Sequence, residues 1–339
     1  MNLEQNESDN RYGIILSAGN GMRLRDFVYR KRADYLPKQY LNFIGKRSIL
    51  EHTLERAEKL IPAQRLLIVI AKEHFQFEEV RRQIASRPPE CVVIQPENKD
   101  TAPGIILPLM YLYKRYPDAS VALFPSDHFV LEEDVFMRHV DQAFRVVERD
   151  GSRIVLLGMK PNEPDPDFGY IIPGETIEDS GGIGRKVEFF VEKPAMEMAE
   201  RIIRKGALWN TLVLVFKCRT LVEAIEQTTP ELYRSFQPIL QAIGTPDEHR
   251  VIEQVYRGLR PTNFSKSVLQ TLPYDQRQSF LVLPVRGVTW NDWGTSSRLL
   301  STLRRLGKSS GFEQEGELSP NKSPGHDSQR TLGLAVPKA

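Results

Sequence analysis

A chain of 339 residues is long enough to bury a substantial core, in one large domain or in two modest ones. Its 46 basic and 44 acidic side chains leave a formal net charge of +2, which excludes the strong global field that favours nucleic acid or a membrane surface. The N-terminus is polar rather than signal-like and no apolar run approaches membrane-spanning length, so we expect a cytoplasmic protein.

Apolar strand-like runs alternate with helical patterns through the first half of the chain. Strands are predicted at residues 12–16, 66–71, 91–94, 121–124 and 154–158. Helices are predicted between them, at about 48–61, 73–87, 102–116 and 133–149. This alternation predicts an α/β fold with a Rossmann-like, mostly parallel mixed sheet and helices on both of its faces. Ligands bind beyond the carboxyl ends of the strands in such sheets, so the residues after each strand are the first candidates for a site.

From about residue 160 the pattern changes, and strands, turns and helices follow in a less regular order. A short helix is predicted with Ala195, Ala199 and Ile202 on its core face. The other later elements are strands near 167–172, 186–194, 212–216 and 280–285, and helices over about 219–258. Large apolar residues become few in the last part of the chain. The predicted domain therefore covers residues 12–306, and we expect residues 1–11 and 307–339 to be disordered.

The loop after the first strand is the most informative segment. Small residues stand in it at Ser17, Ala18, Gly19 and Gly21. The loop then delivers Arg23 and, further on, Lys38 to the same end of the sheet. Small residues let backbone N–H groups approach a polyphosphate, whose charge these two cations can neutralise. The glycine spacing is neither the dinucleotide fingerprint nor the P-loop, and a strand followed by a glycine turn is also common for purely structural reasons.

A basic run, residues 23–32, follows the glycines and holds five basic side chains against one acid. A solvated loop and a phosphate-facing segment are both open as interpretations of this run. A polynucleotide-binding protein is a further alternative that rests on this run alone. The near-neutral balance of the whole chain argues against it, and we expect no nucleic-acid partner.

Two acidic residues are candidate metal ligands. Asp127 lies in the segment Pro125-Ser-Asp-His128 after a predicted strand, where its carboxylate can reach a hard cation together with phosphate oxygens. A strand-end Asp often merely caps the next helix. Asp292 lies between Trp290 and Trp293, where an unpaired charge would be unfavourable unless a cation is bound there.

Eight short segments, in order over residues 12 to about 300, carry a specific combination of residues. They are Leu16–Leu24, Pro37–Gln39, Glu97–Pro103, Pro125–His128, Phe168–Ile171, Val191–Pro194, Trp209–Asn210 and Trp290–Gly294. Together they resemble the sugar-phosphate nucleotidyltransferases, and among these the enzymes that act on mannose 1-phosphate. The resemblance implies a glycosyltransferase-A-like fold with a nucleotide-binding half, about 12–160, and a sugar-phosphate half, about 161–306. It implies Mg²⁺-dependent transfer from GTP to mannose 1-phosphate, giving GDP-mannose and pyrophosphate, by a homodimer without a membrane partner.

The resemblance also implies a role for each matching residue. Asp127 and Asp292 would hold Mg²⁺, and Arg23 and Lys38 would act with Asp127 in catalysis by contacting the triphosphate. The nucleotide would bind against Ser17, Ala18, Gly19, Gly21, Arg23, Lys38, Glu97, Asn98, Asp100, Thr101, Ala102 and Ser126. The sugar phosphate would bind against Gly169, Glu192, Lys193 and Asn210.

Several positions depart from the pattern of that family. Ser17-Ala18 replaces the usual Gly-Gly, Met22 replaces the usual Thr or Ser, and Thr211-Leu212 replaces the usual Ser-Gly. Extra residues between Arg23 and Lys38 predict a flexible basic segment, and the C-terminal isomerase or β-helix extension of the family has no counterpart. These departures leave open another base or hexose, as in a thymidylyl- or uridylyltransferase. A non-catalytic nucleotide-sugar sensor is less favoured, because the acids and cations are all present.

Overall fold

The structure is a computed structural model that describes residues 10–177, 182–273 and 279–307. Its strands, in chain order, are β1 Arg11–Leu16, β2 Leu66–Ala71, β3 Val92–Gln95, β4 Ser120–Pro125, β5 Phe129–Val130, β6 Ile154–Met159, β7 Gly169–Thr176, β8 Arg185–Glu192, β9 Leu208–Lys217, β10 Phe280–Val285 and β11 Trp290–Asn291. Its helices are α1 Arg25–Arg32, α2 Ile49–Glu58, α3 Glu78–Ile84, α4 Thr101–Arg115, α5 Glu133–Arg149, α6 Met196–Arg204, α7 Cys218–Thr228, α8 Pro230–Ala242, α9 Glu248–Gly258 and α10 Ser296–Arg305.

A nine-stranded sheet runs through the described part of the chain in the order β3-β2-β1-β4-β9-β6-β10-β8-β7, and β7 also pairs with β9. The strands β1 to β4 pair in parallel, with Leu16 opposite Pro125, so the loops after β1 and β4 emerge side by side. Antiparallel β9 joins this part to the rest of the sheet. The small sheet of β5 and β11 lies outside the large one, next to both candidate metal loops. The predicted α/β fold with a mixed sheet is confirmed.

Hydrophobic cores lie on both faces of the sheet because successive residues of a strand point to opposite sides. In β1, Ile15 belongs to the core that includes Leu54 of α2, whereas Ile14 belongs to the core that includes Ile105 of α4 and Leu221 of α7. All of these side chains are fully or nearly fully buried. The sheet is thus covered on both sides, and its strand ends remain for ligand binding.

The long helix α5 shows why the apolar pattern is a good guide. Its buried residues recur on one face at helical spacing, and it spans residues 133–149 as predicted. Helix α2 begins after Ser48, whose side chain accepts from the Glu51 N–H while the Glu51 carboxylate accepts from the Ser48 N–H. The prediction for 73–87 was too long, because Phe77 is extended and divides a short 3-10 turn from α3.

Other predictions require correction. The basic run is not a loop: α1 is helical, and within it Arg32 pairs with Asp34 and Glu79. Ala195 is exposed before the first turn of α6, although Ala199 and Ile202 are buried as predicted. The first predicted strand begins one residue earlier, and the rest of the predicted disordered ends, 1–9 and 308–339, lies outside the described residues. None of the described helices has the length and apolar character to cross a membrane.

Candidate active site

A cavity of about 280 Å³ opens at the carboxyl ends of β1 and β4. The loops after these strands form one wall, and the starts of β7 and β9 form the opposite wall. Ten of the predicted site residues line it: Gly19, Gly21, Arg23, Thr101, Ser126, Asp127, Gly169, Glu192, Asn210 and Asp292. Residues far apart in sequence therefore meet at the edge where an open α/β sheet binds its ligands.

Lys38 lies between the two candidate metal ligands. Its Nζ is 3.1 Å from Asp127 Oδ2 and donates to the backbone carbonyl of Asp292 at 2.5 Å and to that of Trp293 at 3.2 Å. Lys38 is only 6% exposed, so its ammonium depends on these partners rather than on water. The loop after β4 and the loop after β11 are thereby held against the same cation.

A second group of charges surrounds Asp292. Arg298, in the first turns of α10, places Nη1 2.8 Å from Asp292 Oδ1 and Nη2 2.8 Å from both Asp165 and Asp167. Arg23 contacts Asp167 at 2.7 Å and Asp292 at 3.5 Å. Two guanidinium groups thus bridge these acids, and they fix the position of the Asp292 carboxylate.

Sequence reasoning missed Arg298, Asp165 and Asp167. The available signals were an acidic pair directly before Phe168-Gly169 and an arginine early in the helix that follows Asp292. Neither signal is specific, because acids before a strand and arginines on a helix are common surface features. Only the fold shows that these residues meet.

The cations decide the ionisation of the two acids. Burial by itself raises the pKa of the Asp127 carboxyl. The nearby charge of Lys38 acts in the opposite direction, and the pKa of Asp127 lies below its usual range. Burial likewise raises the pKa of Asp292, and the charges of Lys38 and Arg298 bring it below the ordinary value. Both side chains are therefore carboxylates at neutral pH.

These two carboxylates fit a magnesium ion as far as the described residues extend. No group of three or more His, Cys, Asp or Glu side chains forms a metal site within those residues. Mg²⁺ usually takes one or two carboxylates and completes its shell with phosphate oxygens and water. Asp127 and Asp292, which line the same cavity, are such a partial set, which a bound phosphate would complete.

Hydrogen bonds from neighbouring segments fix the start of the glycine loop, residues 17–21. The Ser17 N–H donates to the Val69 carbonyl, and the Ser17 carbonyl accepts from Gln39 Nε2 and the Tyr40 hydroxyl. Ser17 is fully buried and does not line the cavity, and Ala18 does not line it either. Gly19 and Gly21 do, and Gly21 has a φ of 58°, which favours glycine. The fold thus presents only the second part of this loop to a ligand.

The segment after β3 reaches the cavity mainly through Thr101. Asn98 Nδ2 donates to the Ala18 carbonyl at 3.4 Å, which links this segment to the glycine loop. Asp100 caps α4 by accepting from the Thr101 N–H, and it does so with a φ of 68°. The remaining predicted residues here, Glu97, Asn98, Asp100 and Ala102, do not line the cavity.

The opposite wall holds Gly169, Glu192 and Asn210. A Cβ on Gly169 would lie 2.6 Å from Glu192 Oε2 and 3.6 Å from Asn210 Cβ, so only glycine leaves the space between them open. Burial raises the pKa of the Glu192 carboxyl. Lys193 is exposed and does not line the cavity, whereas Ser265, which sequence reasoning did not select, does. This wall offers a carboxylate acceptor and an amide, the groups that bind hydroxyls.

Comparison with known proteins covers most of the chain. The sequence model of the family described as Nucleotidyl transferase matches residues 12–309. An Escherichia coli protein named mannose-1-phosphate guanylyltransferase is 26% identical over 84% of this chain and 60% of its own length. The xanthan biosynthesis protein XanB of Xanthomonas campestris pv. campestris (strain B100) is 29% identical over 87% of this chain and 60% of its own. The chain thus spans about 60% of the length of these curated relatives.

Solved structures agree on the fold. A Thermus thermophilus structure titled mannose-1-phosphate geranyltransferase superposes with a TM-score of 0.69 at 26% identity, covering 84% of this chain and 76% of that one. A Helicobacter pylori structure titled mannose-6-phosphate isomerase has a TM-score of 0.62 at 16% identity and covers 83% of this chain and 99% of that one. Because its identity is only 16%, the second similarity supports the fold and nothing further.

Proposed function

Because this chain belongs to the Nucleotidyl transferase family, we propose that it transfers a nucleotidyl group from GTP to mannose 1-phosphate, with GDP-mannose and pyrophosphate as products. One observation carries the proposal: Asp127 and Asp292 flank the buried Lys38 at a cavity whose other wall holds Glu192 and Asn210. Acids and cations suited to phosphates therefore face groups suited to a sugar. The name of the Escherichia coli relative, at 26% identity, supports mannose 1-phosphate as the acceptor.

The proposed reaction needs charge control rather than a nucleophilic side chain. An oxygen of the sugar phosphate attacks the α-phosphorus of the triphosphate in line, and the bond to pyrophosphate breaks. Two anions must approach, and negative charge develops on the leaving group, so fixed cations lower the barrier. Arg23 reaches the cavity, and Lys38 lies just behind its acids.

Asp127 and Asp292 are the residues that would hold Mg²⁺. When bound, the ion would neutralise phosphate charge and align the two substrates. Arg298 and Arg23 orient the Asp292 carboxylate, and Lys38 orients that of Asp127. Glu192 accepts from a sugar hydroxyl, and Gly19 and Gly21 let the backbone approach the triphosphate.

The test is a substrate matrix. Each of the four common nucleoside triphosphates is combined with mannose 1-phosphate and with glucose 1-phosphate, and release of pyrophosphate is followed with and without Mg²⁺. The proposal expects the highest kcat/KM for GTP with mannose 1-phosphate and no release without the metal. Preference for another pair would reassign the enzyme to a different base or hexose, and no release with any pair would contradict the proposed activity. The cytoplasmic location and the homodimer stay predictions.

A further inference from the structure

Strand β9 is irregular where it borders the cavity. Its pairing with β6 joins Leu214 to Leu156 but Asn210 to Gly158, so β9 has extra residues between these two pairs. Such a bulge bends a strand and redirects its side chains, and bulges are frequent next to active sites. Three residues of β9 lie between these pairs, and two of them, Thr211 and Leu212, line the cavity.

Side-chain hydrogen bonds hold the bulge in one conformation. The Thr211 hydroxyl donates to the Leu157 carbonyl at 2.7 Å and accepts from the Val213 N–H at 3.2 Å. Asn210 Oδ1 accepts from the Leu212 N–H at 3.0 Å. The acceptor end of the Asn210 amide is therefore engaged within the bulge. Its NH₂ group donates to Ser265 Oγ at 3.5 Å and has a second N–H that can bind a ligand.

Leu212 is strained in this bulge. Its φ is 53°, in the left-handed region that a branched, bulky side chain rarely adopts and that glycine adopts freely. Part of its side chain packs against the core that contains Phe216 and Leu214, but the residue is not fully buried. Strain of this kind persists only where the surrounding structure imposes it, and it concentrates at functional sites.

We propose that Leu212 is a specificity-determining residue that limits the bulk of the acceptor sugar. This inference rests on the proposed function, in which the sugar phosphate lies between Gly169, Glu192 and Asn210. Leu212 is an apolar member of that wall and stands two residues beyond Asn210. Glycine at this position would relieve the strain and leave open space. Leucine instead fills this space. The wall then admits the hydroxyl group at C2 of the acceptor sugar and excludes a larger acetamido group at that carbon.

The experiment compares two acceptors that differ only in that group, mannose 1-phosphate and N-acetylmannosamine 1-phosphate, with GTP and Mg²⁺. The ratio of their kcat/KM values is measured for the full-length wild type and for Leu212→Gly, Leu212→Ala and Leu212→Asn. We expect the ratio to shift at least about tenfold towards the acetamido sugar in the Gly and Ala variants, the order of selectivity that a hydrophobic pocket provides. Leu212→Asn tolerates a left-handed backbone and supplies a variant that folds readily.

Leu240→Ala is the matched control, because Leu240 packs against the same core but does not line the cavity. It should leave the ratio unchanged. Thermal melting adds a readout that is independent of activity: Leu212→Gly should melt a few degrees above Leu212→Ala, since alanine keeps the strain and glycine removes it. If the wild type and the Leu212 variants all turn over mannose 1-phosphate with the same ratio of kcat/KM values, the proposed role of Leu212 is wrong but the proposed function stands. Absence of wild-type turnover would overturn the proposed function and this inference together.

Discussion

The parallel strands β1 to β4 and the mixed strands β6 to β10 contribute to the same cavity in different ways. In the parallel part, Gly19, Gly21 and Asp127 follow directly after regular strands. In the mixed part, the wall depends on a bulge within strand β9 itself, at Thr211 and Leu212. Under the proposed function, the groups that would meet phosphates follow regularly paired strands, whereas the proposed acceptor wall includes an irregular strand. Substitutions that alter one part at a time test this division.

The largest effect is expected at the acids that join the two parts. Asp127→Asn removes a negative charge beside Lys38 and should lower kcat at least about a hundredfold while the protein stays folded. Pyrophosphate release and circular dichroism give the two measurements. Asp118→Asn, at a largely exposed ion pair with Arg219, is the control and should have wild-type activity. Near-normal turnover in Asp127→Asn would remove this residue from the mechanism.

The next effect concerns the charge network of the mixed part. Arg298→Ala leaves Asp292, Asp165 and Asp167 with fewer cationic partners and should lower the free energy of unfolding by about 2–3 kcal/mol. It should also lower kcat, because the Asp292 carboxylate loses its orientation. Urea unfolding and steady-state kinetics measure the two effects. Arg304→Ala, exposed on the same helix, should change neither value, and equal losses in both variants would show that the helix rather than the network matters.

A smaller effect tests the support of the glycine loop in the parallel part. His74 contacts the Tyr40 hydroxyl and Asn20 Oδ1, and burial lowers its pKa to about 4 from an ordinary 6.5. On acidification, His74 binds a proton in the unfolded chain before it does so in the folded protein. The contribution of neutral His74 to the free energy of unfolding is therefore fully present above about pH 6.5 and is lost as the pH drops towards 4. At pH 5 this loss is about 2 kcal/mol.

Urea unfolding at pH 7 and pH 5 measures this loss. His74→Gln should reduce the difference between the two pH values by about 2 kcal/mol relative to the wild type. His249→Gln, at an exposed histidine, should keep the wild-type difference. A His74→Gln variant with an unchanged pH dependence would show that His74 does not carry it.

The smallest effects are expected from glycine substitutions, one in each wall of the cavity, which should change KM for different substrates. Gly169→Ala places a Cβ 2.6 Å from Glu192 Oε2 and 2.9 Å from Phe190 Cζ, and it should raise KM for the sugar phosphate about tenfold without changing KM for the nucleotide. A Cβ on Gly19 meets nothing within 4 Å, so Gly19→Ala should fold normally and raise only the KM for the nucleotide, severalfold. Steady-state kinetics with each substrate varied in turn gives these values. If either variant raised both values equally, the proposed division between the walls would be wrong.

Predictability differed between these parts for a physical reason. Strands β1 to β4 and helix α5 were found from the sequence because buried strands and amphipathic helices have a strict apolar period. Helix α1 was missed because Val28 is its single buried residue, so no apolar stripe marks it. The bulge at Leu212 and the cluster around Arg298 have no local pattern at all.

The sequence by itself determined the family, the order of the buried strands β1 to β4 and the two candidate acids, since each depends on residue types at fixed spacing. The tertiary structure decided which of the candidate residues reach the cavity: Ser17 turns into the core, and Arg298 becomes the bridge between Asp292 and two further acids. The contacts of Arg298 with Asp165 and Asp167 join residues more than a hundred positions apart, and their energies depend on burial and distance. Neither quantity exists before the chain has folded.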